Sequence, residues 1–427
     1  MNGALDPRLG EMVYHDRFGA GLDFWAVPRP GWRQKAALLR VDYGSVDLGV
    51  SPLAADRVVW TPSGTAHFLE HRLFEKSYGD IADRFSSLGA EVNASTSFTA
   101  TIFTMTCVEN FTANLELLFE LVFDLQLAPG DIEREREIID RELRLGSDDP
   151  EWVGFLRGLK ALYGDVPLSW DMAGSAESLQ QIKADALTLC HDVYYRPQNM
   201  GLYICGDFDL ISTCASIETN LAKYNRTSPG WEKVERAVQK PLPQASGAMV
   251  LPINRPYVLY FYGDERAGMR GRELLSRELA LELALDIAFG PASDFFAEYY
   301  GLIAGDAFGA EVYAEPTFCF CAIGGYTQHG ERLGAEVAAT LTRLDSLIEL
   351  DFDRAKRKAY GQLLRSYEQV DQMADLLCSA AISGAEPGDY FDIYDRISLA
   401  QVRAALEDCL RPSLMGSVQI VPNDSTS

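Results

Sequence analysis

The chain has 427 residues, 47% hydrophobic and 23% charged, with 62 acidic against 38 basic side chains and a formal charge of −24. That length exceeds one ordinary hydrophobic core and calls for two or more domains. The acidic balance speaks against nucleic acid as a partner, because a phosphate backbone needs a basic face. No apolar run approaches the roughly eighteen residues of a membrane span. The opening MNGALDPRLGEMVYHDRFGAG lacks the basic-then-apolar order of a signal peptide. Eight scattered cysteines then read as reduced, mostly buried thiols of a cytoplasmic protein.

In chain order, DFWAVP at 23–28 and QKAALLRVDYG at 34–44 read as strands. Helical periodicity covers 64–75 and 80–88, followed by strands at EVNAS and TATIFTMTCV. NFTANLELLFELVFDL and the charged segment 130–146 are helical, and a strand at MGLYICGD precedes a helix over 209–223. Further on, strands are predicted near 247–263, 307–314, 317–325 and 415–421. Helices are predicted over 270–288, 330–347, 351–384 and 398–409.

The chain repeats itself. GAEVNASTSF begins at Gly89 and GAEVYAEPTF at Gly309, and the same shift carries Asp131 onto Asp351, Arg134 onto Arg354 and Leu143 onto Leu363 without a gap. Two segments in one register imply two homologous domains, 1–224 and 247–427, joined by a polar, proline-bearing linker over 225–246. Helices mixed with antiparallel strand pairs in each half give an α+β fold, two α/β sandwiches with helices on one face of each sheet.

Two of the five histidines fall in HFLEH, residues 67–71. On a helix, His67 and His71 project from one side with Cβ atoms roughly 5–6 Å apart, within reach of one zinc ion. Glu70 flanks that position without needing to bind, the place for a general base acting on water at the metal. Two histidines leave a catalytic zinc one ligand short, and DIEREREIIDRELRLG supplies acids on a second amphipathic helix. Glu135 and Glu142 are seven apart and share a face, and chemistry alone leaves both open as the third ligand.

The ordered segments GTAHFLEHRLFEK (64–76), GAEVNASTSFTATIF (89–103), EREREIIDRELRLGSDDPEW (133–152), AGSAESL (173–179) and YYRPQNMGLYICGDFD (194–209) resemble the insulinase/pitrilysin family of zinc metallopeptidases. That family includes the mitochondrial processing peptidases. The small two-domain bacterial members are the nearest in pattern, and HxxEH is the inverzincin signature. The resemblance implies one Zn2+ per chain on His67, His71 and Glu142, with Glu70 as base and Glu135 supporting the ligands. It implies that Asn93, Ala94 and Ser95 lie on an edge strand to which a peptide substrate adds. It also implies one active and one inactive half facing each other across a chamber, as in a clamshell. The shift of the repeat puts Ile287, Gly290, Pro291 and Gln362 where the active half has His67, Glu70, His71 and Glu142, so the second half cannot hold zinc at the corresponding place.

Relatives supply an Arg and a Tyr from a zinc-less domain, in a segment matching FFAEYYGLIAGDAFGAEV at 295–312. Here no Lys or Arg occurs between Arg277 and Arg332. The expectation is therefore a homologous zinc-less subunit as partner that brings the Arg/Tyr pair. The expected activity is endopeptidase cleavage of short or unfolded peptides. The rival readings are an accessory scaffold and a peptidase dedicated to one precursor.

Overall fold

The computed structural model describes residues 2–6, 8, 10–55, 57–224, 230–243, 247–301, 303 and 308–423. The elements run β1 (Asn2–Asp6), β2 (Glu11–Arg17), β3 (Asp23–Pro28), β4 (Lys35–Val41), β5 (Gly49–Pro52), β6 (Val59–Trp60), α1 (Thr65–Phe74), β7 (Glu75–Lys76), β8 (Gly79–Asp80), α2 (Ile81–Ser87), β9 (Ala90–Thr96), β10 (Thr101–Cys107), α3 (Phe111–Phe123), α4 (Asp131–Ser147) and α5 (Pro150–Tyr163). Next come α6 (Ala176–Gln181), α7 (Ala184–Tyr194), β11 (Met200–Gly206), α8 (Leu210–Lys223), β12 (Trp231–Lys233), β13 (Ala248–Leu251), β14 (Tyr257–Gly263), α9 (Gly271–Phe289) and α10 (Asp294–Tyr299). The chain closes with β15 (Phe308–Glu315), β16 (Phe318–Tyr326), α11 (Gly330–Thr342), α12 (Leu344–Ser366), α13 (Val370–Ser383), α14 (Asp389–Arg396), α15 (Leu399–Cys409) and β17 (Met415–Pro422).

The first compact unit comprises 1–143, 171–236 and 366–379. Its main sheet has the order β1-β2-β3-β11-β4-β10-β9, antiparallel except where β11 runs beside β3. Central β11 is buried at every position, whereas β10 alternates buried and half-buried residues. Leu39, Phe103, Met105, Leu202 and Ile204 of this sheet form one core with Phe68, Leu69, Leu115, Phe119 and Leu187 of the helices α1, α3 and α7. Phe68 and Leu69 are fully buried, so burial of α1's apolar side anchors the helix that carries the histidines.

The second unit comprises 144–170, 237–365 and 380–427. Its sheet has the order β13-β17-β14-β16-β15, again antiparallel except for β13 beside β17. The repeated segments become β9/β10 in one unit and β15/β16 in the other, and in both the first strand of the pair is a sheet edge.

The units are not contiguous in sequence. The stretch 144–170, which the 1–224 domain includes, belongs with the second unit, and 366–379 belongs with the first. Helix α5 explains the former: a Cβ on Gly158 would lie 1.8 Å from the Phe261 ring and one on Gly154 3.0 Å from Tyr257. Two glycines one turn apart thus let α5 press directly onto β14. Of the expected linker, 225–229 and 244–246 lie outside the described residues. Trp231–Lys233 pairs with β5, and Arg236 makes a two-pronged ion pair with Asp47 at 2.7 and 2.6 Å. The single helix expected over 351–384 is two, α12 and α13, broken between Ser366 and Val370.

Candidate metal centre

Helix α1 starts at a position only glycine fits. Gly64 has φ 85°, and a Cβ there would lie 2.4 Å from the Ala173 carbonyl oxygen. The loop before α6 therefore seats the start of α1, one turn ahead of the first histidine.

His67 and His71 stand one turn apart with ring centroids 4.5 Å apart. Glu142, on the fourth turn of α4, brings Oε2 to 4.0 Å from His67 Nε2 and 3.6 Å from His71 Nε2. One donor atom from each of the three lies within 4.8 Å of the others. A tetrahedral zinc with bonds of about 2.0–2.2 Å sets its ligand atoms roughly 3.3–3.6 Å apart, so this donor set needs only small contraction to hold one ion.

Glu135 does something else. Its Oε1 accepts from His71 Nδ1 at 2.8 Å, which leaves the Nε2 lone pair directed at the cluster. Glu142 is partly exposed, whereas Glu135 is buried. Burial first, and the neighbouring His71 second, pull the His67 imidazole down to about 4, so it is neutral and able to donate a lone pair. Burial also opposes protonation of His71, but the hydrogen bond to Glu135 and the nearby carboxylates outweigh it and raise its pKa. His67 Nδ1 is buried without a hydrogen-bond partner among the described residues.

Glu70 lies on the inner side of the same helix, buried beside Thr96 of β9. The Thr96 hydroxyl donates to Glu70 Oε2 at 2.6 Å, and the Thr101 hydroxyl beyond it donates to the Tyr43 carbonyl at 2.9 Å. Burial pushes the Glu70 carboxyl up, partly offset by the Thr96 hydrogen bond.

Several supporting residues escaped the sequence reading. Arg72 is buried and reaches Asp131 at 3.0 Å and Glu135 at 3.5 Å, tying α1 to α4. Buried Lys76 donates to the carbonyls of Glu120, Leu121 and Asp124 at the C-terminal end of α3. The available signal was the pair of basic residues following HFLEH in a segment otherwise apolar on its inner side. Asn93, Ala94 and Ser95 lie on β9, which pairs with β10 on one side and closes the sheet on the other. The Ala94 N–H is held by Asn93 Oδ1 at 2.9 Å.

Residues 60–168 match the family model for insulinase, peptidase family M16, and residues 181–359 match that for the peptidase M16 inactive domain. An uncharacterized zinc protease YmfH of Bacillus subtilis is 30% identical over 97% of this chain and 98% of its own. The chain belongs to the insulinase family. Among solved structures, an M16-like peptidase from Alicyclobacillus acidocaldarius superposes with TM-score 0.90 at 28% identity, covering 97% of this chain and 99% of the other. A protease from Helicobacter pylori shares the fold at TM-score 0.80 and 18% identity, over 96% and 99% of the two chains.

The match to an M16 inactive domain accords with the second half of the chain. Ile287 is buried near the end of α9, Gly290 follows that helix, and Pro291 lies between α9 and α10. Gln362 lies on α12. None of these can replace an imidazole or carboxylate ligand. In the stretch expected to bear the family's Arg/Tyr pair, the Tyr299 hydroxyl donates to Glu336 Oε2 at 2.6 Å and Tyr300 is exposed. Residues 302 and 304–307 of that stretch lie outside the described residues. No helix among the described residues is long and apolar enough to cross a membrane.

Proposed function

We propose that this chain is a zinc-dependent endopeptidase acting on short or unfolded peptides. One observation carries the reading: three metal-type donors converge within 4.8 Å of one another, with a buried carboxylate on the intervening turn of the same helix. His67, His71 and Glu142 would hold the ion and leave one position for water or substrate, the arrangement of catalytic rather than structural zinc. When bound, zinc there supplies Lewis acidity toward the scissile carbonyl and lowers the pKa of water.

The chain's own residues do the rest. Glu70 accepts the proton of the attacking water and returns it to the leaving amine nitrogen. The Thr96 hydroxyl fixes which Glu70 oxygen faces the reaction. Glu135 holds His71 in the tautomer that exposes Nε2. A peptide binds by adding a strand at β9 beside Asn93, Ala94 and Ser95, which aligns its backbone with α1. Eight free cysteines suit a reducing compartment, the cytoplasm.

The test is metal analysis together with peptide hydrolysis. Wild type should carry about one zinc per chain, lost in His67→Ala or Glu142→Gln, while Glu70→Gln keeps zinc and loses hydrolysis. Equal hydrolysis by wild type and Glu70→Gln sinks the mechanism. Wild type that holds zinc but hydrolyses no peptide would instead favour the accessory-scaffold reading.

The second half carries no lysine or arginine between Arg277 and Arg332, and we therefore assign the Arg/Tyr contacts to a zinc-less homologous subunit. Full activity of the isolated chain, unchanged by a co-expressed zinc-less homologue, defeats that assignment. Whether the peptidase serves general turnover or one precursor is read from which cellular peptides accumulate when Glu70→Gln replaces wild type.

A further inference from the structure

The first unit holds a cavity of about 590 Å³ on the face of its main sheet away from α1, at the β9 edge. Its floor is β4, β10 and β9, and α2 and α13 form its sides. Glu91 and Asn93 of β9 project into it, paired across the sheet with Thr106 and Thr104 of β10. Asp371 and Asp375 face them from successive turns of α13. Among the described residues no lysine or arginine lines the cavity, and none of the three carboxylates is in an ion pair. Burial, and then the charge of Asp371, raises the pKa of the Asp375 carboxyl, the response of an acid that lacks a counter-ion.

The position of the cavity follows from strand geometry. Val92, Ala94 and Thr96 point from β9 toward the core and Glu70, whereas Glu91 and Asn93 point to the opposite face. A peptide added at this edge alternates in the same way. Residues level with Thr96 meet the catalytic carboxylate, and those level with Asn93 and Glu91, three and five residues along, turn into the cavity. At about 3.3 Å per residue that is roughly 10–17 Å from the reaction, within reach of one short peptide.

We propose that this cavity is a subsite for a lysine or arginine side chain of the peptide, three or five residues from the residue level with Thr96. It rests on the strand-addition reading above. An amphipathic basic side chain suits the cavity, laying its stem on the sheet and its charge among Glu91, Asp371 and Asp375.

The experiment walks one lysine along a short, otherwise uncharged peptide and measures binding by fluorescence anisotropy to zinc-loaded Glu70→Gln, which cannot turn the peptide over. Norleucine at the same positions is the control. Lysine should tighten binding about five- to thirtyfold over norleucine at one or two alternate positions, the range of one to three partly exposed ion pairs. Adding Asp371→Asn and Asp375→Asn should reduce that ratio to less than about twofold, and both side chains are exposed enough to be replaced without disturbing the core. An equal gain at every position reflects the overall charge of −24 and overturns the subsite, as does alternation that survives the double substitution. Failure of every peptide to bind refutes strand addition itself and takes the subsite with it. Binding without positional preference refutes the subsite alone.

Discussion

Replacing Thr96 by valine removes one hydroxyl and keeps the shape of the side chain. That hydroxyl donates to Glu70 Oε2 at 2.6 Å, a hydrogen bond to an ionised acceptor in a half-buried setting. Such bonds contribute about 1.5–3 kcal/mol, and one pH unit corresponds to about 1.36 kcal/mol. A backbone contribution from Thr96 survives the substitution, and solvent reaches the rim of the site, so the low end of the range applies. Glu70 already sits above its ordinary value through burial. Losing the donor raises it further. As the proposed base, Glu70 works only when ionised, so kcat/KM should fall as pH drops through this pKa, and the acid limb should move to higher pH in Thr96→Val. The assay is kcat/KM against pH for zinc-loaded wild type and variant, with zinc content measured on the same samples. Thr96 touches none of the three donors, so the zinc content stays the same. An acid limb that does not move, or moves to lower pH with zinc retained, refutes Glu70 as the group that limits the reaction in acid.

Three further outcomes are expected. Glu135→Gln should weaken zinc binding by about 10–100-fold in chelator competition, because a neutral amide replaces the carboxylate that orients His71 and raises its basicity. Gly158→Ala forces a Cβ to within 1.8 Å of Phe261. It should destabilise the chain by about 1–3 kcal/mol of overpacking, reduced by up to about 1 kcal/mol of better helix propensity, as read from chemical denaturation. Lys76 is held down to about 8 by burial, against an ordinary 10.5. Between these values the unfolded chain holds the extra proton, so this residue's contribution is complete above about 10.5 and is lost as pH falls to about 8. The stability difference between wild type and Lys76→Met should shift toward wild type as pH rises through that window, and a flat difference contradicts the assignment.

The local pattern of the chain was enough to place the histidines and the repeat. HFLEH reads as a helix because Phe68 and Leu69 share the inward side while His67 and His71 share another, a consequence of the 3.6-residue period alone. The register of the repeat was legible too, and β9/β10 and β15/β16 occupy matching edge positions. What local pattern could not decide was which of two acids on one helix face meets the histidines. Glu135 and Glu142 share a face, and only the packing of α4 against α1, pinned by buried Arg72 and Asp131, sets Glu142 at the cluster and Glu135 behind His71. The exchange of α5 and α13 between compact units was equally invisible, since an amphipathic helix carries no record of which sheet it covers. The same holds for the acidic cavity. Glu91 and Asp371 are 280 positions apart, and only a strand edge and a helix brought to one face make them neighbours. Sequence periodicity thus determined what each segment is and which side of it is chemical. Tertiary packing decided which chemical sides meet, because contacts between distant segments depend on burial shared across the whole core.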